Sequence, residues 1–310
     1  MYYPFLRGKQ NEILAIKELS STILKNSTSI SPIIEPIKLS PTFKKALPEL
    51  AKNGTNFNLI INPREGELQY DSDKIITLCS ETLENYDNYQ IAIIIDDKTS
   101  LEKLSGLLTK SKCTKKLTLI HYKSSDDITN IINYLNQNFE IINNVINMEK
   151  LRDRYFSNFD KSTIVTLIDS FISQDKNSDY LDVDESDFSE EHLFFENENL
   201  KGFADYLTIG DKFMNGGFAP YAVAVHITFI EDNKLRVKHF VSDSNMDTTD
   251  VAGKYSEALD KLIHWENTHN LDTLAMDKFR ELYNQQHYPG LGVIKKLSLM
   301  NHIEVCSRVL

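Results

Sequence analysis

The sequence predicts an α/β fold, a TIM-like (β/α)8 barrel with an added C-terminal β-hairpin and helical tail, and three observations carry it. Short apolar runs rich in isoleucine recur at a spacing of roughly 25–30 residues and end in polar residues, as strands covered on both faces do. Segments with helical spacing lie between them, which implies right-handed parallel crossovers. The runs number eight, enough to close a parallel ring, with an open doubly wound sheet as the structural alternative.

In chain order the strands are "YYPFL" at the start, then "SPIIEPIK" (31–38), "FNLIINPR" (57–64) and "QIAIIIDD" (90–97). "KLTLIHYK" (116–123), "FEIINNVIN" (139–147), "TIVTLIDS" (163–170) and "FADYLTIGD" (203–211) complete the set. Ile13, Ile16, Leu19 and Ile23 share one helical face, as do Phe43, Leu47 and Leu50, and Leu101, Leu104 and Leu108. Ser40 before Pro41 predicts a helix start, and Thr99 with Glu102 predicts a capping box.

Two stretches break the rhythm. The acidic "DYLDVDESDFSEEHLFFENENL" (179–200) is expected as an enlarged seventh crossover, with a short helix near Ser189 to Phe195. "YAVAVHITFI" and "KLRVKHFVSD" flank "EDN" and predict a hairpin within 221–242, either an addition to the barrel or an extension of its last strand. From Ala252 the chain reads as helical, punctuated by Pro289 and Gly290, so 1–310 is expected as one barrel domain with a helical part over 252–310.

A net charge of −11 argues against a general nucleic-acid coat, which needs a basic surface to displace counterions. Cys79, Cys113 and Cys306 are widely spaced and odd in number, as in a reducing compartment, and are expected to be ordinary buried thiols. The start "MYYPFLRGK" lacks a cationic leader with an apolar core, and no run approaches the roughly 18 apolar residues of a membrane span. A cytoplasmic location without membrane partners is the expectation.

In such barrels the reacting groups project from the carboxyl ends of the strands. The matching positions are Arg7, Lys9, Glu35, Asn62, Arg64, Asp96, Asp97, His121, Lys123, Asn147, Asp169, Asp205 and Asp211. Carboxylates facing one cavity repel unless a cation offsets them, so Glu35, Asp96 and Asp169 are the candidate catalytic groups and would suit Mg²⁺, the metal itself being left open. Arg7, Lys9, Arg64, Asp205 and Asp211 are the candidate substrate-binding groups, with the cations suited to an anion. Asp97, Lys123 and Asn147 are expected to be solvated or paired with neighbours. His226 and His239 lie on opposite arms of the hairpin, as a polar surface pair or as a metal or proton site. His302 reads as structural. "MNGGFAP" (214–220) reads as a turn or flap without phosphate-loop spacing, and no G-x-S-x-G, H-E-x-x-H or C-x-x-C motif occurs.

The blocks "YYPFLRGKQNE", "ISPIIEP", "GFADYLTIGDKF", "GGFAPYAVAVHIT" and "HFVSDSNMD" together resemble the bacterial and phage group called beta family proteins, across nearly the whole chain. The resemblance implies an accessory or antiphage-defence setting and carries over no catalytic residue; its blocks include Arg7, Lys9, Glu35, Asp205 and Asp211. Two readings follow. One is a barrel that binds or acts on an anionic, phosphorylated small molecule or nucleotide at its rim. The other is a non-catalytic defence component that docks a protein partner through the acidic segment, hairpin or tail.

Overall fold

The computed structural model describes residues 1–111, 116–214, 216 and 219–310; Cys113 and, in the glycine loop, Asn215, Gly217 and Phe218 lie outside the described residues. The elements are β1 (Tyr2–Leu6), α1 (Gln10–Leu19), β2 (Ile33–Ile34), α2 (Pro41–Lys52), β3 (Phe57–Ile60), α3 (Ser72–Thr82), β4 (Tyr89–Ile95) and α4 (Leu101–Ser111). There follow β5 (Lys116–His121), α5 (Ile128–Asn138), β6 (Glu140–Asn147), β7 (Ile164–Ile168), α6 (Tyr180–Val183), β8 (Glu185–Ser189), α7 (Glu191–Phe194) and β9 (Gly202–Asp205). The chain ends with β10 (Ala224–Glu231), β11 (Lys234–Val241), α8 (Val251–His269), α9 (Leu274–Asn284) and α10 (Leu291–Ser307). It packs as two compact units, one of Met1–Asp169, Glu191–Asp205 and Leu310, the other of Ser170–Glu190 and Tyr206–Val309.

In the first unit β1 to β7 and β9 form a closed barrel of parallel strands, with β9 returning to β1. Because successive strand residues face opposite ways, the register assigns the interior. Phe5 pairs with Ile33, Ile33 with Asn58, Ala92 with Thr118, Thr118 with Asn143, and Val165 with Gly202. The lowest interior layer is polar and bonded across the barrel. Tyr3 Oη donates to Asn143 Oδ1 (3.0 Å), Asn143 Nδ2 to Thr118 Oγ1 (2.8 Å), Thr118 Oγ1 to Asn58 Oδ1 (2.5 Å), and Asn58 Nδ2 to Ser31 Oγ (2.9 Å). Above it sit Phe5, Ile33, Ile60, Ile120 and Val145, all buried. The helices begin as the sequence indicates in one case and differ in another. Ser40 Oγ caps α2 by accepting from Phe43 N (3.2 Å), whereas Thr99 Oγ1 bonds Asp96 and leaves Ser100 O to accept from Leu104 N (3.0 Å) in the first turn of α4.

In the second unit β10, β11 and β8 form an antiparallel sheet in the order β10-β11-β8, covered by α8 and α10. The hairpin is thus a separate sheet rather than an extension of the last barrel strand. Its turn residues Asp232 and Asn233 both have positive φ (49° and 63°), as a two-residue turn matched to strand twist requires. Part of the acidic stretch is a strand, and its charge has a local cause. Arg236 of β11 meets Glu185 (2.7 Å) and Asp187 (3.3 Å) of β8, and Lys238 meets Asp184 (2.6 Å), so these acids pair across strands with a basic neighbour. Glu304 of α10 accepts from Leu274 N (2.7 Å) and Ala275 N (3.2 Å), closing the start of α9, which Thr273 also caps. Cys79 and Cys306 are buried, and among the described residues neither is joined in a disulfide. Among the described residues no helix is long and apolar enough to cross a membrane.

Candidate functional site

The inward series of each barrel strand continues past its last ladder pair, and at the carboxyl ends it changes from apolar to polar. Arg7, Glu35, Asn62, Asp96, Tyr122, Asn147 and Asp169 are the next inward positions after Phe5, Ile33, Ile60, Ile94, Ile120, Val145 and Leu167. The chain turns from β1 into α1 at Gly8 (φ 61°), where a Cβ would come 3.0 Å from the Glu35 carbonyl oxygen, so glycine is needed for both reasons. Past that turn Glu12, in the first turn of α1, accepts from Arg7 N (2.7 Å) and is itself buried. Lys9, next to α1, is half-buried.

Glu35 joins the ends of neighbouring strands. Its backbone N donates to Leu6 O (2.8 Å) and its Oε1 accepts from Arg64 N (2.6 Å). Burial pushes the Glu35 carboxyl up from the usual range, while the Arg64 amide and the charges of Arg7 and Arg64 pull the other way. Glu35 is 2% exposed and anchors the loop that carries Arg64. Glu35→Ala is therefore expected to cost about 1–2 kcal/mol by stranding the Arg64 amide, and Glu35→Gln less because its carbonyl still accepts, read as urea midpoints.

Arg64 is held on its other side by an aromatic ring. Its guanidinium carbon lies 3.3 Å from the centroid of Tyr122, and Lys150 Nζ lies 3.7 Å from the same centroid and donates to the Tyr122 hydroxyl. Asn62 extends the ladder with its side chain, donating to Ile94 O and accepting from Ile94 N, both at 2.8 Å. Asp96 accepts from Lys98 N and Thr99 Oγ1, both at 3.0 Å, which fixes the turn into α4. Arg64, Asp96, Lys98, Lys103, Tyr122 and Lys123 line a cavity of about 650 Å³ at this rim.

Of the three carboxylates expected to be catalytic, Asp96 lines that cavity; Glu35 is spent on positioning, and the Asp169 backbone N donates to Glu149 Oε1 (3.1 Å). Among the described residues Glu35, Asp96 and Asp169 do not bring ligand atoms together around one ion position. Asp205 alternates with the outward Phe203 and accepts from Tyr2 Oη (2.8 Å), so it faces away from the barrel interior. Asp211 belongs to the second unit. Asp97 pairs with Lys123 (3.5 Å), and Asn147 Oδ1 accepts from Glu149 N and Lys150 N, both at 3.1 Å. His121, also outward, bonds Tyr155 Oη (2.9 Å) and Asn144 Oδ1 (3.0 Å), and burial lowers its pKa to about 4. Tyr122 and Lys150 are the rim residues that site selection from sequence missed. Strand alternation from Thr118 through Ile120 is the signal that singles out Tyr122 over His121.

The second unit holds a separate histidine pair. His226 and His239 face each other across the hairpin with their Nδ1 atoms 2.9 Å apart, and the Phe171 and Tyr180 rings pack on His226 at 5.0 and 4.6 Å. His302 bonds Thr228 Oγ1 (3.1 Å) and is fully buried.

Fold and rim together define a (β/α)8 barrel with a polar cavity, lined by Arg64, Lys98, Lys103 and Lys123 and by the carboxylates Glu65, Asp96 and Asp97, at the carboxyl ends of its strands. In comparisons with known proteins, neither a family model nor a curated sequence matches the chain.

Proposed function

We propose that this cavity binds a small anionic, phosphorylated molecule. The observation that carries the reading is a cluster of cations on one cavity wall, which the carboxylates Glu65, Asp96 and Asp97 share without forming a salt bridge to Arg64, Lys98 or Lys103 among the described residues. Among the described residues the side chains of Arg64, Lys98 and Lys103 make no ion pair, although all three line one cavity of about 650 Å³. Like charges gathered on one concave surface repel, and a multivalent anion relieves that cost while gaining charge-assisted hydrogen bonds. Arg64 is pre-positioned by Tyr122 on its face and by Glu35 on its backbone, so less side-chain freedom is lost on binding. A cavity of this size suits a mononucleotide or sugar phosphate. Asp96 is the candidate acid or base at such a ligand. From the resemblance to beta family proteins we place this activity in antiphage defence.

Titration calorimetry with pyrophosphate and ribose 5-phosphate tests the proposal. Binding by the parent protein that weakens roughly tenfold or more in Arg64→Ala is the expected result, the loss of one charged contact being worth about 1.5–3 kcal/mol. The absence of heat with either anion, or an affinity indifferent to Arg64, would overturn it.

A further inference from the structure

We infer that the phosphorylated ligand carries a nucleobase, and that Tyr70 is the platform on which the base stacks. The inference rests on the anion-binding reading above and narrows it to nucleoside phosphates. Tyr70 is 91% exposed, yet it lines the cationic cavity and also an adjoining groove between α3 and α4, and the two share Ser72, Lys103 and Leu107.

The ring stands on a fixed base. Leu68, two residues earlier, is buried; Glu67 N donates to Ile37 O (2.8 Å) and Asp71 N to Leu68 O (3.0 Å). Gly66 (φ 81°) permits the turn, since a Cβ there would meet Ile37 O at 2.5 Å. A large aromatic ring held out into solvent beside unpaired cations offers what a nucleotide needs, a π face for the base and positive charge for the phosphate.

A second observation points to the same groove. Gly106 lies inside α4, where glycine is the poorest helix former after proline, and an added Cβ would touch no protein atom within 4 Å. Packing inside the protein thus gives no reason for glycine there. Gly106 lines the groove with Tyr70 and Leu107, so the missing side chain keeps its floor flat where a planar ring would lie. Of the charged residues that line it, Lys110 pairs with Asp73 (3.0 Å) and Asp71 with Lys74 (2.6 Å), while Lys103 and Glu102 flank the aromatic and apolar floor.

The experiment compares AMP with ribose 5-phosphate, which share sugar and phosphate and differ by the base. The parent protein is expected to bind AMP roughly 5- to 100-fold more tightly, the range that base stacking on one aromatic ring supports. Tyr70→Ala should erase that preference and leave ribose 5-phosphate affinity unchanged, while Tyr70→Phe should keep it. Gly106→Leu should weaken AMP selectively with an unchanged or raised melting temperature. Tyr70 is exposed, so its replacement spares the fold. Equal binding of the two ligands, or an AMP preference that survives Tyr70→Ala, overturns the base platform and leaves the anion site standing. Failure of both ligands to bind overturns both readings.

Discussion

Asn143→Leu is expected to lower the thermal midpoint of the barrel by roughly 5–10 °C, which corresponds to about 3 kcal/mol. Asn143 is where the buried polar layer converges: it accepts from Tyr3 Oη (3.0 Å) and donates to Thr118 Oγ1 (2.8 Å) and Asn58 Oδ1 (3.4 Å). Leucine has similar bulk, so the penalty is one of stranded partners rather than of a cavity. The Tyr3 hydroxyl loses its strong acceptor there and keeps only the weak Met1 Sδ (3.3 Å), so most of its desolvation goes uncompensated, at about 1–3 kcal/mol for a buried polar group. Two further oxygens lose a donor. Circular dichroism melts of parent and variant check this, and a midpoint within about 1 °C of the parent would show that the layer does not stabilise the barrel.

That layer also shows where sequence reading stops. The barrel strands were legible because Ile91–Ile95 or Ile33–Ile34 must be apolar on both faces, which leaves a continuous signal. Asn58, Thr118 and Asn143 interrupt the signal without breaking it, and nothing local shows that they meet. β8 was illegible for the opposite reason. "ESDFS" buries Phe188 and otherwise relies on cross-strand charge, a pairing that depends on Arg236 and Lys238 far along the chain. At the rim, the polar strand ends marked the correct layer for Arg7, Glu35, Arg64 and Asp96. They did not distinguish a residue that touches the cavity from one that braces it, because Glu35 and Arg64 differ in role only through the backbone bond between their loops. Asp205 lies one step of alternation off the inward series, which reverses its face.

Acidification is expected to weaken the second unit through its histidine pair, on the order of 3–4 kcal/mol between pH 7.5 and pH 5. Burial is the largest cause lowering the pKa of both, to about 3 for His226 and about 4 for His239. Each also feels nearby charge: the partner ring and Lys295 lower His226, while Asp184 raises and Lys238 lowers His239. In the folded protein both rings stay neutral, one donating to the other across 2.9 Å, whereas the unfolded chain takes up protons below the ordinary value of 6.5. The stability is therefore fully present above pH 6.5 and is lost progressively as pH falls towards 4. His121 in the barrel has the same sign, so the readout must be local. Trp265, the protein's single tryptophan, packs edge-on against Phe229 (5.1 Å) and Phe240 (5.4 Å) of the hairpin, and its fluorescence reports that sheet. Urea midpoints followed by Trp265 emission should fall steeply from pH 7.5 to pH 5 in the parent and much less in His226→Leu/His239→Leu. If both proteins fall in parallel, the imidazole pair is not the group that acid attacks.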